Sequence, residues 1–346
     1  MKIVSADSHF NEPPNFYDDL HKKYGDSVPH IESDNHGSYW VASEFKRPLG
    51  VMNQPGVRLD SIEKNVFVDS TKYIYDLNTR KSIVEKDGVS MELLFPSGAM
   101  LHTIKDNEIK LQCFQTLNNF LSGLNGFYKG VLQVPNNPVD ALKIISTYNN
   151  IRFIMFPIYL PDSSYSDGYW NQCFELCEKK DIIICFHAGA LRYKNLINSN
   201  VFQTNTHKTS ILFFQAYELL NDLILGGITE KFDGLKFIIS ELGVSWVPYW
   251  YHRIETGLSI YSSIDGLNTK DLIKTLNKNF YFTTQFDFPD KSLFNILGED
   301  NILFGTDFPH VESTHGKTTK IFNRINKKLG EEKASKIFYK NFIELI

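Results

Sequence analysis

The sequence predicts a (β/α)8 TIM barrel with a small insertion after the first strand. Eight short apolar runs recur along its 346 residues, helix-like windows separate most of them, and polar residues directly follow several runs. Nearly continuous apolar runs are typical of strands covered on both faces, as in a parallel sheet. Alternation alone also fits an open, doubly wound sheet, but the count of eight favours the closed barrel.

The predicted strands and helices follow one another along most of the chain. The strand-like runs are Lys2–Ala6, Val89–Phe95, Gly130–Val134, Arg152–Phe156, Ile182–Phe186, Lys236–Ser240, Phe280–Thr283 and Asn301–Phe304. The windows with helix-like character are Asn107–Leu121, Pro138–Tyr148, Gly168–Lys180, Ser210–Leu225, Val244–Tyr261, Thr318–Leu329 and Glu331–Phe342. Pro138 suits a helix start, where its missing N–H costs nothing.

Residues 30–80 interrupt this alternation of predicted strands and helices. They contain several glycines and prolines and two short β-like pieces, Ser38–Ala42 and Phe67–Val68. We expect an inserted flap here, formed as a small hairpin over the barrel mouth. Because no Pro/Gly/Ser-rich linker divides the chain, residues 1–346 are predicted to form a single barrel domain.

Composition excludes several classes of protein. The 36 Lys+Arg against 40 Asp+Glu give a net charge of −4, which argues against a nucleic-acid binder. The sequence contains no run of 18 apolar residues, so we expect no membrane span, and no apolar leader is visible at the N-terminus. The four cysteines form no CxxC pair, which fits a reducing compartment. We therefore expect a cytoplasmic protein.

Ionisable side chains cluster just after the predicted strands. Those following the first, fifth, sixth and eighth runs are Asp7, His9, Glu12, His187, Glu241, Asp307 and His310. TIM-barrel active sites lie at the carboxyl ends of the strands, so these side chains should meet. Imidazole and carboxylate together suit Zn²⁺, Fe²⁺ or Mn²⁺, and a bound cation makes hydroxide available near neutral pH.

Each residue alone also has a structural interpretation. His9 or His187 could be a hydrogen-bonded structural histidine, and Asp307 could cap a turn or helix. Glu12 could be an ordinary loop residue. The shared position at strand ends favours a metal site over these separate explanations.

Six segments, in order along the chain, carry a resemblance to a known family. They are Asp7–Pro13, Lys86–Val89 with Leu94–Pro96, Phe186–Gly189, Gly226–Ile228 with Phe232–Lys236, Ser240–Tyr249 with Arg253, and Phe304–His310. In these segments the sequence resembles the amidohydrolase-related family that includes aminocarboxymuconate-semialdehyde decarboxylase and related metal-dependent hydrolases.

The resemblance implies a metal at the barrel mouth, with His9, His187 and Asp307 as ligands. Asp7 stands at the first of the family's two ligand positions on the first strand. Decarboxylase relatives usually have a catalytic histidine where this sequence has Glu241. One divalent ion would leave much of the buried carboxylate charge unbalanced, so two ions bridged by Glu12 or Glu241 are an alternative. With one ion, Glu241 would be a general base or a protonated acid.

Four further residues are candidates for contacts with the substrate or the metal-bound water. His310 lies three residues after Asp307, and its alternative role is to stabilise a turn. His207 opens a predicted helix, and His102 lies in a loop after the second strand. Arg253 could hold a substrate carboxylate or form a structural ion pair, for example with Glu255.

These observations predict a metal-dependent hydrolase that acts on an amide, ester, lactone or thioester bond of a small molecule. Asp307 would bind metal and accept the water proton, with Glu241 and His310 as further catalytic residues. Zinc is the expected ion, and iron and manganese are alternatives. A nonoxidative decarboxylase on the same barrel and a non-catalytic binding barrel are the rival functions. Relatives are often dimers, so the resemblance is compatible with a homodimer.

Overall fold

A computed structural model of the protein describes residues 2–35, 37–43, 45–48, 75–96, 98–160, 163–189, 205–267, 271–287 and 289–346. The strands in these ranges are β1 (Ile3–Phe10), β2 (His30–Asp34), β3 (Gly37–Ala42), β4 (Phe45–Pro48), β5 (Val89–Pro96), β6 (Tyr128–Gly130), β7 (Leu132–Gln133), β8 (Phe153–Met155), β9 (Ile183–His187), β10 (Phe237–Ser240), β11 (Phe280–Thr284) and β12 (Ile302–Phe304).

The α-helices in the same ranges are α1 (Asp18–Tyr24), α2 (Leu77–Lys86), α3 (Asn107–Ser122), α4 (Pro138–Thr147), α5 (Asn171–Lys179), α6 (Asn205–Ile211), α7 (Phe213–Leu220), α8 (Ile228–Lys231), α9 (Val247–Asp265), α10 (Leu272–Asn279), α11 (Lys291–Leu297), α12 (Thr318–Leu329), α13 (Glu331–Ser335) and α14 (Asn341–Ile343). Short 3₁₀ segments cover Gly25–Ser27, Gly98–Thr103 and Tyr165–Asp167, and π-helical turns cover Asn221–Leu225 and Lys336–Lys340.

The parallel strands close into a ring. β1, β5 and β6 pair in that order, and β7 to β12 form a second run in chain order. β6 and β7 flank Val131, whose N–H donates to the Leu94 carbonyl of β5 at 2.9 Å, so they act as one strand. Beyond β12, the Asp307 N–H donates to the Asp7 carbonyl of β1 at 2.8 Å. The ring therefore has eight positions, which confirms the predicted TIM barrel.

The hydrophobic core lies on both sides of the ring. Ile183 and Cys185 face the barrel interior, whereas Ile184 and Phe186 pack toward the helices, as alternation along a strand requires. Phe342 of α14 stacks on Phe153 with ring centroids 5.7 Å apart and joins the interior cluster. None of the helices in the described ranges is both long and apolar enough to cross a membrane.

The segment between β1 and β5 contains the predicted hairpin. β2, β3 and β4 form an antiparallel sheet, and Ser38–Ala42 lies within β3. Trp40 of β3 packs edge-on against Tyr17, with ring centroids 6.4 Å apart, and Tyr17 follows the carboxyl end of β1. This sheet is thus attached beside the mouth of the barrel. The predicted piece Phe67–Val68 lies outside the described residues.

Some helices differ from the sequence prediction. The window Ser210–Leu225 is divided between α6, α7 and a π-helical turn, and a second π turn interrupts Glu331–Phe342. Helices α1, α2, α10 and α11 were not predicted. α1 has no buried residue and α2 buries only Arg80 and Val84, so neither carries the apolar stripe that periodicity detects.

Candidate metal centre and active site

Six of the predicted residues meet at the carboxyl end of the barrel. Asp7 and His9 come from β1, and His187 is the last residue of β9. Glu241 follows β10, and the segment after β12 supplies Asp307 and His310. Ligand atoms of His9, Glu241, Asp307 and His310 lie within 4.8 Å of one another, as do those of Asp7, His9 and His187. The two groups share His9 and so form one continuous cluster.

The contacts within this cluster are close. His9 Nε2 lies 3.1 Å from Asp307 Oδ1 and 3.9 Å from both Asp7 Oδ1 and Glu241 Oε2. His187 Nε2 lies 3.1 Å from Glu241 Oε2 and 3.3 Å from Asp7 Oδ1. Imidazole nitrogens thus alternate with carboxylate oxygens around a common centre.

His310 covers one side of the cluster. Its ring stacks on His9 with centroids 3.9 Å apart, and its Nδ1 lies 2.6 Å from Asp307 Oδ1. A separation this short brings the imidazole and the carboxylate within reach of a shared proton. Asp307 and His310 therefore form a pair that can hold one proton between them.

An irregularity in β1 presents Asp7 to the site. The pairing of β1 with β5 shifts register between Ser5 and Ser8, which lets Ala6 face the barrel interior and Asp7 face the cluster. Ser5 Oγ lies 2.8 Å from both Ser8 Oγ and Thr306 Oγ1, so hydroxyl groups tie this bend to the chain after β12. Irregular pairing next to an active site commonly redirects a functional side chain.

Two of the clustered residues have left-handed backbone conformations. Glu241 has φ 60° and Asp307 has φ 56°, values that non-glycine residues rarely adopt. The Glu241 N–H donates to Thr283 Oγ1 at 3.0 Å, and the Asp307 N–H donates to the Asp7 carbonyl. Strain of this kind persists where the surrounding structure enforces it, and it marks functional positions.

Gly305 allows β12 to approach β1 beside the site. A Cβ at this position would lie 2.6 Å from Asp7 Cβ. We expect Gly305→Ala to lower the free energy of unfolding by about 1–3 kcal/mol, because Asp7 must move to make room. Urea denaturation measures this loss, and metal titration should show weaker binding through the displaced Asp7.

Gly257 provides the matched control for this prediction. It lies in α9, and nothing would lie within 4 Å of its Cβ. Gly257→Ala should therefore stabilise the protein by up to about 1 kcal/mol, since alanine favours the helix. Equal effects of the two substitutions would contradict the close approach at Gly305.

Charges within the cluster are strongly coupled. Burial opposes protonation of His187, but the carboxylates of Asp7 and Glu241 outweigh it and raise the pKa of His187 to about 10. Burial, together with the charge of Asp307, raises the pKa of Glu241 well above its usual value. The His187 Nδ1 lies 2.8 Å from the Ala188 carbonyl and donates to it, which directs Nε2 toward the carboxylates.

Asp307 and His9 have the opposite protonation preferences. Burial would raise the pKa of Asp307, but the charges and hydrogen bonds of His310 and His9 hold it well below its usual range. Burial and the repulsion of His310 lower the pKa of His9. Asp307 thus favours its anionic form and His9 its neutral form, which are the forms that ligate metals.

The donor set fits a divalent cation. Although their neighbours are close, His9 Nε2 and both carboxylate oxygens of Asp307 are buried without a well-directed hydrogen bond among the described residues. Buried polar atoms are costly unless something satisfies them. A cation between neutral imidazoles and carboxylates would satisfy these atoms, and the mixture suits Zn²⁺, Mn²⁺ or Fe²⁺.

Glu12 and three of the predicted substrate contacts, His102, His207 and Arg253, are not members of this cluster. Glu12 is buried, and its Oε1 accepts a hydrogen bond from Tyr17 at 3.4 Å. His102 is half-buried and contacts Phe114 edge-on, and desolvation lowers its pKa to about 4. His207 lies on α6, and Arg253 is exposed on α9. None of the four belongs to the two groups of potential ligands found at the mouth within the described residues.

Arg80 of α2 is a supporting residue that the sequence did not reveal. Its guanidinium pairs with Glu92 of β5 at 2.8 and 2.9 Å, and both side chains are fully buried. It also donates to the carbonyls of His9 at 2.6 Å and Phe308 at 3.0 Å. One side chain thus joins the end of β1 to the segment after β12, beside the candidate ligands His9 and Asp307. A single arginine in a polar stretch of sequence does not predict these contacts.

Comparisons with known proteins agree with the barrel fold. The amidohydrolase family profile matches residues 119–345. A stretch of 92 residues is 35% identical to 6-methylsalicylic acid decarboxylase from Penicillium expansum, and it spans 26% of this chain and 28% of that relative.

Two solved structures share the fold over nearly the whole chain. An amidohydrolase from Mycobacterium avium subsp. paratuberculosis K-10 superposes with a TM-score of 0.79 at 16% identity, covering 99% of this chain and 98% of the other. A 5-carboxyvanillate decarboxylase from Novosphingobium aromaticivorans, complexed with manganese and 4-hydroxy-3-methoxy-5-nitrobenzoic acid, gives 0.73 at 12% identity, covering 99% and 95%.

Proposed function

Since the chain belongs to the amidohydrolase family, we propose that it is a metal-dependent, nonoxidative decarboxylase of a small hydroxylated aromatic acid. The observation that carries this choice is the 35% identity with 6-methylsalicylic acid decarboxylase over 92 residues. It favours the alternative that the sequence left open over the hydrolase that we expected first. The proposal treats residues 1–346 as one catalytic domain with a flap at residues 30–80.

We propose that one divalent cation is held by Asp7, His9, His187 and Asp307, with Glu241 beside it. His9 belongs to both groups of potential ligands, which supports one ion more than two. When bound, the cation would supply positive charge that binds the substrate carboxylate and a neighbouring oxygen. The manganese bound by the Novosphingobium relative supports a divalent ion.

The remaining chemistry is proton delivery by Asp307 and His310. In the proposed step the bond between the ring carbon and its carboxylate breaks, and CO₂ leaves. The electron pair stays on the ring carbon, which takes the proton that Asp307 shares with His310. His310, 2.6 Å from Asp307 Oδ1, returns a proton to it. The burial of Asp307 and His9 excludes water from this transfer.

Product analysis tests this proposal directly. Manganese-loaded protein is incubated in D₂O with 6-methylsalicylate or 5-carboxyvanillate, and the products are analysed by mass spectrometry. We expect CO₂ release and one deuterium on the carbon that carried the carboxylate. No CO₂ from either acid, combined with cleavage of ester, lactone or amide substrates, would reject decarboxylation.

Hydrolysis is the second candidate, and Glu241 is the observation that favours it. This carboxylate stands where decarboxylase relatives usually have a catalytic histidine, and it lies 3.1 Å from His187 Nε2. A carboxylate with a raised pKa beside a cation could accept a proton from an attacking water. The product analysis distinguishes the two reactions, because hydrolysis adds water and releases no CO₂.

Metal affinity should depend on pH through His187. This imidazole must lose its proton to bind a cation, and its pKa is about 10. Below that value each unit rise in pH exposes about tenfold more neutral imidazole, so the apparent affinity should rise about tenfold per unit between pH 7 and 9. Competition with a chromogenic chelator measures this slope.

The variant His187→Gln tests whether His187 causes this pH dependence of the metal affinity. His187→Gln should bind the metal more weakly than wild type. The slope of the logarithm of its affinity against pH should be smaller by about one, because the variant lacks the imidazole that loses the proton. The raised pKa values of Asp7 and Glu241 act in the same direction and remain in that variant. A wild-type affinity that stays constant from pH 7 to 9 would contradict the prediction.

A further inference from the structure

A second group of ligating side chains lies outside the barrel mouth, where α1 meets the small antiparallel sheet. His21 is on α1, Asp26 is in the 3₁₀ turn Gly25–Ser27, and His30 begins β2. One ligand atom from each of the three residues lies within 4.8 Å of the others. None of the three takes part in the proposed reaction.

The hydrogen bond that His30 makes through Nδ1 leaves the lone pair of its Nε2 facing two carboxylates. His30 Nδ1 lies 2.8 Å from the Val28 carbonyl, which can only accept, so Nδ1 carries a proton. In the neutral ring Nε2 is then an acceptor, and it faces Asp26 Oδ1 at 4.0 Å and Glu32 Oε1 at 3.7 Å. A positive charge between these three acceptors would stabilise them.

His21 completes the group from the opposite side. Its Nδ1 is buried and has no hydrogen-bond partner in the described part of the chain. Its ring centroid lies 4.6 Å from that of His30, with the planes tilted by 35°. A buried imidazole nitrogen without a partner is costly, and a metal ion would satisfy it.

We propose that His21, Asp26 and His30 bind a zinc ion, with Glu32 as the nearest fourth ligand. Two imidazoles with carboxylates favour zinc over Ca²⁺ or Mg²⁺, which prefer oxygen ligands alone. The carbonyl that accepts from His30 Nδ1 is the outer contact that orients a ligating histidine. Lys46 lies 3.6 Å from the other Glu32 oxygen, Oε2, and leaves Oε1 directed toward His30.

The spacing fits this ion after a small contraction. Zinc ligands lie about 2.0–2.2 Å from the metal, so tetrahedral donor atoms are about 3.4 Å apart. The 3.7 and 4.0 Å separations at His30 exceed that by a few tenths of an ångström. A bound ion would join α1 and its following turn to β2, and so fix the base of the flap.

Zinc counting on the 346-residue chain tests the proposal. Wild type and His21→Gln/His30→Gln are dialysed to equilibrium against zinc, and bound metal is measured by atomic emission. We expect the double variant to bind one equivalent fewer. Asp26→Asn should weaken the affinity for that equivalent at least about tenfold, and its exposed position allows the fold to persist if the double variant fails.

His252→Gln is the matched control. His252 Nδ1 lies 3.8 Å from Glu255 Oε2 on exposed α9, which reproduces the imidazole–carboxylate spacing outside any group of three. This variant should bind as much zinc as wild type does. Equal zinc content and affinity in wild type, His21→Gln/His30→Gln and Asp26→Asn would overturn the proposal. In that case any extra equivalent belongs to the barrel mouth.

Discussion

Asp307→Asn is expected to reduce turnover by at least about 10³-fold while leaving the fold intact. Asparagine has the same size and shape, but it cannot deliver a proton or supply negative charge to a cation. Asp307 is 1% exposed, and both of its oxygens lack a well-directed hydrogen bond within the described residues. Steady-state kinetics with the acid that proves to be the substrate measures the loss, and thermal unfolding checks the fold.

Two further variants make this result specific. Asp140→Asn changes another buried aspartate, which pairs with Lys143 at the start of α4, and should keep wild-type activity. His310→Asn should lower kcat by about 10²-fold and keep the metal, because Asp307 then loses its proton source. If Asp307→Asn retains more than a tenth of the wild-type turnover, another group must deliver the proton.

The sequence was sufficient to locate most of this site because two simple regularities coincide. Strands inside a barrel are buried on both faces, so apolar runs identify them. Functional side chains lie at their carboxyl ends, so the next polar residues identify the site. Asp7, His9, His187, Glu241 and Asp307 all follow this rule, and the structure brings them together. Their roles as ligands remain predictions.

Contacts between distant parts of the chain account for what the sequence did not reveal. Arg80 donates to carbonyls 71 and 228 residues away, and no local pattern encodes such pairings. Glu12 obeys the strand-end rule, but it lies just beyond the end of β1, where Tyr17 donates to it, and among the described residues it belongs to neither group of potential ligands. The left-handed conformations of Glu241 and Asp307 likewise depend on the surrounding fold.

Arg80→Met is the substitution that should destabilise the protein most. It leaves Glu92 with its charge fully buried and removes the donors to the His9 and Phe308 carbonyls. Breaking a buried ion pair from one side typically costs about 3–5 kcal/mol, so we expect a loss of that size in the free energy of unfolding. Chemical denaturation measures it. Turnover should also fall, because His9 loses a support of its backbone.

Two controls, an exposed ion pair and a double substitution, separate the effect of burial on stability from the effect of charge. Lys278 pairs with Asp233 at 2.6 Å, but both side chains are about half exposed or more, so Lys278→Met should cost less than about 1 kcal/mol. Arg80→Met/Glu92→Leu should recover much of the loss, because no buried charge is left unpaired. If Arg80→Met costs no more than Lys278→Met, the pair does not hold the first and last strands together. The position of His9 must then depend on the pairing of β1 with β5 and on the backbone bonds to the segment after β12.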